Sequence, residues 1–133
     1  MLGFGNVNSI AHNNSSLFQI PQCLCLHIQR SEWSNSGNLT KRQDFVRFQE
    51  ELNVSNLVYT NRLTENWKPV VYHLRAVVEH LGTAHSGHFV TFRQHSMEGR
   101  VKWFYTSDTF VRAATIKEVM KSSPYMLFYE RAL

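Results

Sequence analysis

The sequence predicts an α+β domain, built mainly from antiparallel strands with a single short helix. Three observations carry this. The second half of the 133-residue chain is a succession of strand-length runs rich in β-branched and aromatic residues, separated by small-residue turns. Only one stretch, Thr115 to Met120, combines helical spacing with a capping signal. The composition, 43% apolar and 13% aromatic, is enough for a packed core and excludes a wholly disordered chain. No apolar run approaches the roughly 20 residues that span a bilayer. Fourteen basic and ten acidic side chains give a formal net charge of +4. They are dispersed, and without a basic stripe interleaved with aromatics they do not point to nucleic acid.

Residues 1–20 read as a loosely ordered leader. Met1 to Ser16 is rich in Gly, Asn and Ser, and lacks both the charged and apolar regions of a secretory signal and the arginines of a mitochondrial presequence. Residues 21–133 read as the folded unit. Pro21 sets the start of a strand through Gln22-Cys23-Leu24-Cys25-Leu26-His27-Ile28-Gln29-Arg30. Ser34 to Asn38 is a turn cluster, Lys41-Arg42 a basic pair, and Phe45-Val46-Arg47-Phe48 a short strand. Leu52 to Lys68 is polar and reads as a loop with some helical spacing. Val70 to His80 is a long strand, Gly82 to Gly87 a small-residue loop and His88 to Arg93 the next strand. Glu98-Gly99 is a turn before a strand over Val101 to Thr106. Thr115 and Glu118, three apart, form a capping box, Pro124 closes the helical segment, and Tyr125 to Tyr129 is the last strand.

The cysteine count points to a reducing compartment, since Cys23 and Cys25 are too few for a disulfide framework. Two positions apart on an extended segment, they are expected on opposite faces and unbonded. Their apolar run further suggests buried, inert packing groups. His80, His85 and His88 raise a metal reading, but no carboxylate or cysteine accompanies them at ligand spacing, so no metal is expected. His85-Ser86-Gly87-His88-Phe89 is more suggestive. A glycine before the histidine lets a substrate backbone approach, and the following strand fixes the imidazole as a general base requires. A packed or loop-capping histidine is the plainer reading of the same residues. Ser107 or Asp108, on an adjacent strand, would orient such a base. Strand alternation puts them on opposite faces, so both reach the imidazole only if the strand breaks there.

These segments, in this order, resemble the C-terminal part of the catalytic domain of the ubiquitin-specific proteases, papain-like cysteine deubiquitinases. Pro21 to Arg30, Lys41 and Val46-Arg47-Phe48 carry the first part of the likeness. Tyr72 to Gly82 and Ser86-Gly87-His88-Phe89-Val90-Thr91-Phe92 resemble the family's histidine box, with Phe89 where tyrosine usually follows the histidine. Trp103 to Asp108, Val111 and Tyr125 to Arg131 complete it. The resemblance implies a papain-like fold, of which this chain is the palm half, and hydrolysis of the bond after the C-terminal glycine of ubiquitin. It implies His88 as the base, Ser107 as the third triad member and Asp108 as a supporting acid. Gly82, Ser86, Gly87 and Phe89 would line the groove for the ubiquitin tail. Serine in place of the usual carboxylate points to the subfamily of the mitochondrial outer-membrane member, and so to the cytosolic face of that membrane, or the cytosol, as the location. The family's cysteine box and its finger cysteine pairs are not in these residues. The chain is therefore expected to be inactive alone and to need no cofactor. Its expected partners are ubiquitin and ubiquitinated proteins, and the alternative is a non-catalytic ubiquitin-binding fragment.

Overall fold

The computed structural model describes residues 15–59 and 68–132. The leader expected over 1–14, and the part of the ambiguous segment over 60–67, lie outside the described residues. The frame is a seven-stranded antiparallel sheet made by β1 (Cys23–His27), β4 (Glu51–Asn53), β5 (Val71–Gly82), β6 (Gly87–Met97), β7 (Arg100–Ser107), β8 (Phe110–Ala114) and β9 (Met126–Arg131). Its order is β1-β9-β5-β6-β7-β8, with β4 pairing the start of β5. A separate hairpin joins β2 (Ser31–Trp33) to β3 (Leu39–Lys41) across the expected turn cluster, where Gly37 takes φ +79°. Two short strands in that hairpin, and β8, are too brief for their sequence pattern to announce.

The long strand β5 shows how the apolar residues are kept on one face. Tyr72, Leu74 and Val77 are all buried, although an unbroken strand would turn Val77 away from the other two. The register slips between Leu74 and Ala76, so Arg75 is an extra residue against β9. That bulge shifts the alternation by one and brings Val77 back to the face of Leu74. Val77 then stands opposite Leu127 on β9 and Phe92 on β6, and with Trp103, Tyr129 and Val119 these residues form the core.

The single helix α1 (Ile116–Lys121) has the predicted capping box. Thr115 Oγ1 accepts from the Glu118 amide, and the Glu118 carboxylate accepts from the Thr115 amide at 2.8 Å. Val119 is fully buried against the sheet. The bond from the Thr115 amide, then Arg112 at 2.9 Å, holds the Glu118 carboxyl below the usual carboxylate range. No helix of the described residues is long and apolar enough to cross a membrane.

Three expectations change. Phe45 to Phe48 is not a strand: this stretch is an extended connection without a ladder partner, with Phe48 buried and Phe45 exposed. Its neighbours tie it down through side chains instead. The Gln49 carbonyl accepts from Tyr129 Oη at 2.7 Å, and the Arg42 and Asp44 carbonyls accept from the buried Arg30. The ambiguous stretch holds β4 and a 3-10 turn at Ser55–Leu57. Finally, Cys23 and Cys25 are exposed and on the same face. Residues two apart on a strand share a face, and on β1 the inward positions belong to Leu24 and Leu26.

Candidate functional site

The β5–β6 hairpin positions the candidate base. β5 ends at Gly82, which pairs with Gly87 across the four-residue turn Thr83–Ser86. Thr83 organises that turn: its amide donates to the Ser86 carbonyl at 2.8 Å, and its hydroxyl accepts from the amides of His85 and Ser86. Gly82 sits at φ +114°, a backbone setting that disfavours a side chain. His88 comes directly after Gly87, paired with Leu81 and held in the ladder, with its side chain half-buried.

Ser107 comes from the far end of β7. The β6–β7 register pairs Thr91 with Thr106, and continuing it sets Ser107 opposite Val90. His88 is then the diagonal neighbour of Ser107 on the same face. The contact is made: His88 Nε2 and Ser107 Oγ are 2.7 Å apart. Nδ1 is left as the nitrogen available for proton transfer. β7 stops at Ser107, and Asp108 enters the tight turn to β8 with φ +48°. This is the break that lets both residues approach one imidazole, with Asp108 Oδ2 3.9 Å from Nε2. The Asp108 side chain is 82% exposed, so its charge acts through solvent and counts for little.

The other predicted site residues gather at the same hairpin. Phe89 points to the opposite face from His88 and is half exposed, with its ring 4.7 Å from His80 and 5.4 Å from Tyr125. Phe89, His80, Tyr125, Lys41 and Thr83 line a groove of about 200 Å³. Gly82 lines the adjoining groove, and Ser86 and Gly87 build the turn between them without lining either. A side chain at Gly87 would run into the His80 ring, which packs beneath it. Burial and then the Lys41 ammonium push His80 below the usual histidine range.

His80, His85 and His88 are not brought together. His80 stands opposite Phe89 on the face away from His88, and no three metal-binding side chains cluster among the described residues. Neither cysteine is near the imidazole. Cys25 pairs with Phe128, Phe128 with Ala76, and Ala76 with Arg93, which lies on the face opposite His88. Three strand spacings add a separation of at least about 14 Å. Lys41, His80 and Tyr125 were not singled out from sequence as groove residues, because they come from three separate segments and no local pattern joins them.

Comparison with known proteins fits this arrangement. The sequence profile described as ubiquitin carboxyl-terminal hydrolase matches residues 6–129, starting inside the segment read as a leader. Ubiquitin carboxyl-terminal hydrolase 30 of Xenopus tropicalis is 31% identical over 86% of this chain, and its human counterpart is 28% identical over 88%. The chain spans 34% and 37% of those two proteins. Ubiquitin carboxyl-terminal hydrolase 1 of Arabidopsis thaliana is 35% identical over 84% of the chain, which spans 11% of it. Among solved structures, the SAGA Ubp8/Sgf11/Sus1/Sgf73 module bound to ubiquitin aldehyde superposes with a TM-score of 0.79. It is 29% identical, over 89% of this chain and 26% of that one. The same module bound to monoubiquitin gives a TM-score of 0.78 at 30% identity, over 89% of this chain and 25% of that one.

Proposed function

The chain belongs to the ubiquitin carboxyl-terminal hydrolase family, and from that premise we propose that it supplies the base half of a thiol-dependent deubiquitinase site. The observation that carries this is the 2.7 Å contact between His88 Nε2 and Ser107 Oγ. In the tautomer suited to the work, Nε2–H donates to the Ser107 hydroxyl and Nδ1 takes the proton of a cysteine thiol. The thiolate attacks the carbonyl carbon of the last glycine of ubiquitin; the C–N bond after that glycine breaks, and the leaving amine receives the proton from His88. Water then attacks the acyl-enzyme with His88 again as base. Ser107 holds the imidazole but adds no negative charge. Asp108 lends a distant, solvent-weakened charge.

The groove of Phe89, His80, Tyr125 and Lys41, on the face away from His88, would receive the extended tail of ubiquitin, whose end would reach His88 round the Thr83–Ser86 turn at the hairpin tip. An aromatic wall beside a turn free of bulky side chains suits a chain ending in glycines. The chain itself has only two cysteines, both on the sheet face opposite His88 and three strands from it, so it is proposed to be inactive without a nucleophile from elsewhere. That same placement favours a second reading, a ubiquitin-binding unit that turns nothing over. Residues 21–133 are proposed as the part of the catalytic domain carrying these residues. Location on the cytosolic face of the mitochondrial outer membrane, or in the cytosol, is proposed from the resemblance to the serine-triad subfamily.

Two measurements test this. Titrating ubiquitin into the labelled chain should shift the amides of Thr83 to Phe89, and their silence would refute the groove. In a protein joining this chain to a nucleophile-bearing half, Ser107→Ala should lower kcat, whereas Ser107→Ala without effect beside an inactive Asp108→Ala would reverse their roles. The chain alone should leave a fluorogenic ubiquitin substrate intact, and turnover lost in Cys23→Ala or Cys25→Ala would overturn the inactivity proposal.

A further inference from the structure

Lys41 makes the most specific long-range contact to the hairpin. Its Nζ lies 2.6 Å from the His80 carbonyl oxygen and 3.0 Å from that of Gly82, some forty residues away in sequence. These are among the last carbonyls of β5 before the turn. Both belong to residues that shape the hairpin end: the His80 ring underlies Gly87, and Gly82 holds φ +114°. An ammonium donating to two carbonyls on one strand end fixes their directions relative to β3. It does so from the β2–β3 hairpin, which is not part of the main sheet.

We propose that Lys41 is a positioning residue, fastening the end of β5 so that the Thr83–Ser86 turn and His88 keep the geometry of the site. The proposal rests on reading this hairpin as the site, but its test does not need ubiquitin. Without the ammonium, the two carbonyls would turn to water and the turn would open more often. The same ammonium sets the electrostatics under the turn. His80 shares its groove with the cations Lys41 and Arg30 and with Tyr125, and among the described residues the one carboxylate lining the adjoining groove is Glu79, which accepts from the Ser123 amide. Protonating His80 beside Lys41 would therefore set two cations together against the turn.

The test is hydrogen exchange and imidazole titration by NMR on the 133-residue chain, comparing parent, Lys41→Met and Lys41→Arg. Lys41→Met should speed exchange of the Thr83 amide, and of the β5–β6 ladder amide at Leu81, by about tenfold or more. The core amides of Val77 and Leu127 should keep their parental rates. It should also move the His80 titration to higher pH and shift the His88 ring signals, and Lys41→Arg should recover part of each change. Unchanged exchange at the turn, or equal acceleration of turn and core, would show that Lys41 is only a general stabiliser or a bystander and would overturn the proposal. Failure of the ubiquitin titration with these results intact would instead count against the site reading alone.

Discussion

Gly87→Ala is the sharpest single perturbation of the hairpin. Gly87 opens β6 with ordinary strand geometry, so alanine costs nothing through backbone preference there. Space is the obstacle. A Cβ at this position would stand 2.5 Å from His80 Cε1 and closer still to His80 Nε2 and the Leu81 carbonyl oxygen. The imidazole can swing aside only into Phe89 and Tyr125, whose rings crowd it at 4.7 and 6.0 Å. The carbonyl is part of β5 and cannot swing at all, so the hairpin must part. Overpacking of this kind costs about 2–3 kcal/mol. At roughly 3–5 °C per kcal/mol for a chain of this size, Tm should fall by about 6–15 °C. Gly99→Ala is the control. Nothing lies within 4 Å of its Cβ, and only φ +72° opposes the change, so its cost is about 1 kcal/mol. Circular dichroism melts of the two variants decide the matter. If Gly87→Ala melts no lower than Gly99→Ala, the steric argument is wrong.

Other contacts make further outcomes checkable. Arg30 donates to the carbonyls of Pro124, Arg42 and Asp44, so Arg30→Met, which fills the space but leaves all three unpaired, should cost about 3–5 kcal/mol in urea unfolding; a loss below about 1 kcal/mol would refute the pin. Glu118 is depressed in the folded state, so its contribution is present above the unfolded carboxylate range and lost as pH falls through the lower folded value. The stability curve should accordingly flatten on its acid side in Glu118→Gln, and an unaltered acid limb would show the cap to be electrostatically idle. Since Cys23 and Cys25 are both exposed, a mass-resolved thiol-labelling time course on the native chain should modify both at rates near those of an unfolded peptide. Protection of either would restore the buried reading.

The helix and the histidine hairpin were legible because their signals are local. Thr115 and Glu118 satisfy each other within one turn, and the glycines at 82 and 87 bracket a turn whose bonds are made by Thr83 within it. Other elements depend on partners. Phe45 to Phe48 has the look of a strand, yet a strand exists only where a neighbour supplies its ladder, and here it is the flanking carbonyls of Asp44 and Gln49 that are tied, to Arg30 and Tyr129. Cys23 and Cys25 share a face by alternation alone, and their exposure follows because Leu24 and Leu26 take the inward positions of β1.

By itself, then, the sequence determined the strand-rich α+β class and the helix with its cap, because each rests on residue type and short spacing, while the pairing of His88 with Ser107 came only from the family resemblance. The tertiary structure decided the rest. A bulge at Arg75 carries the core face across β5. The end of β7 at Ser107 lets both it and Asp108 approach one imidazole. The ladder from β1 to β6 fixes the cysteines on the wrong face, and Lys41 reaches across some forty residues to hold the turn. Each depends on strand register and long-range contact, quantities that arise only when separate segments are brought side by side.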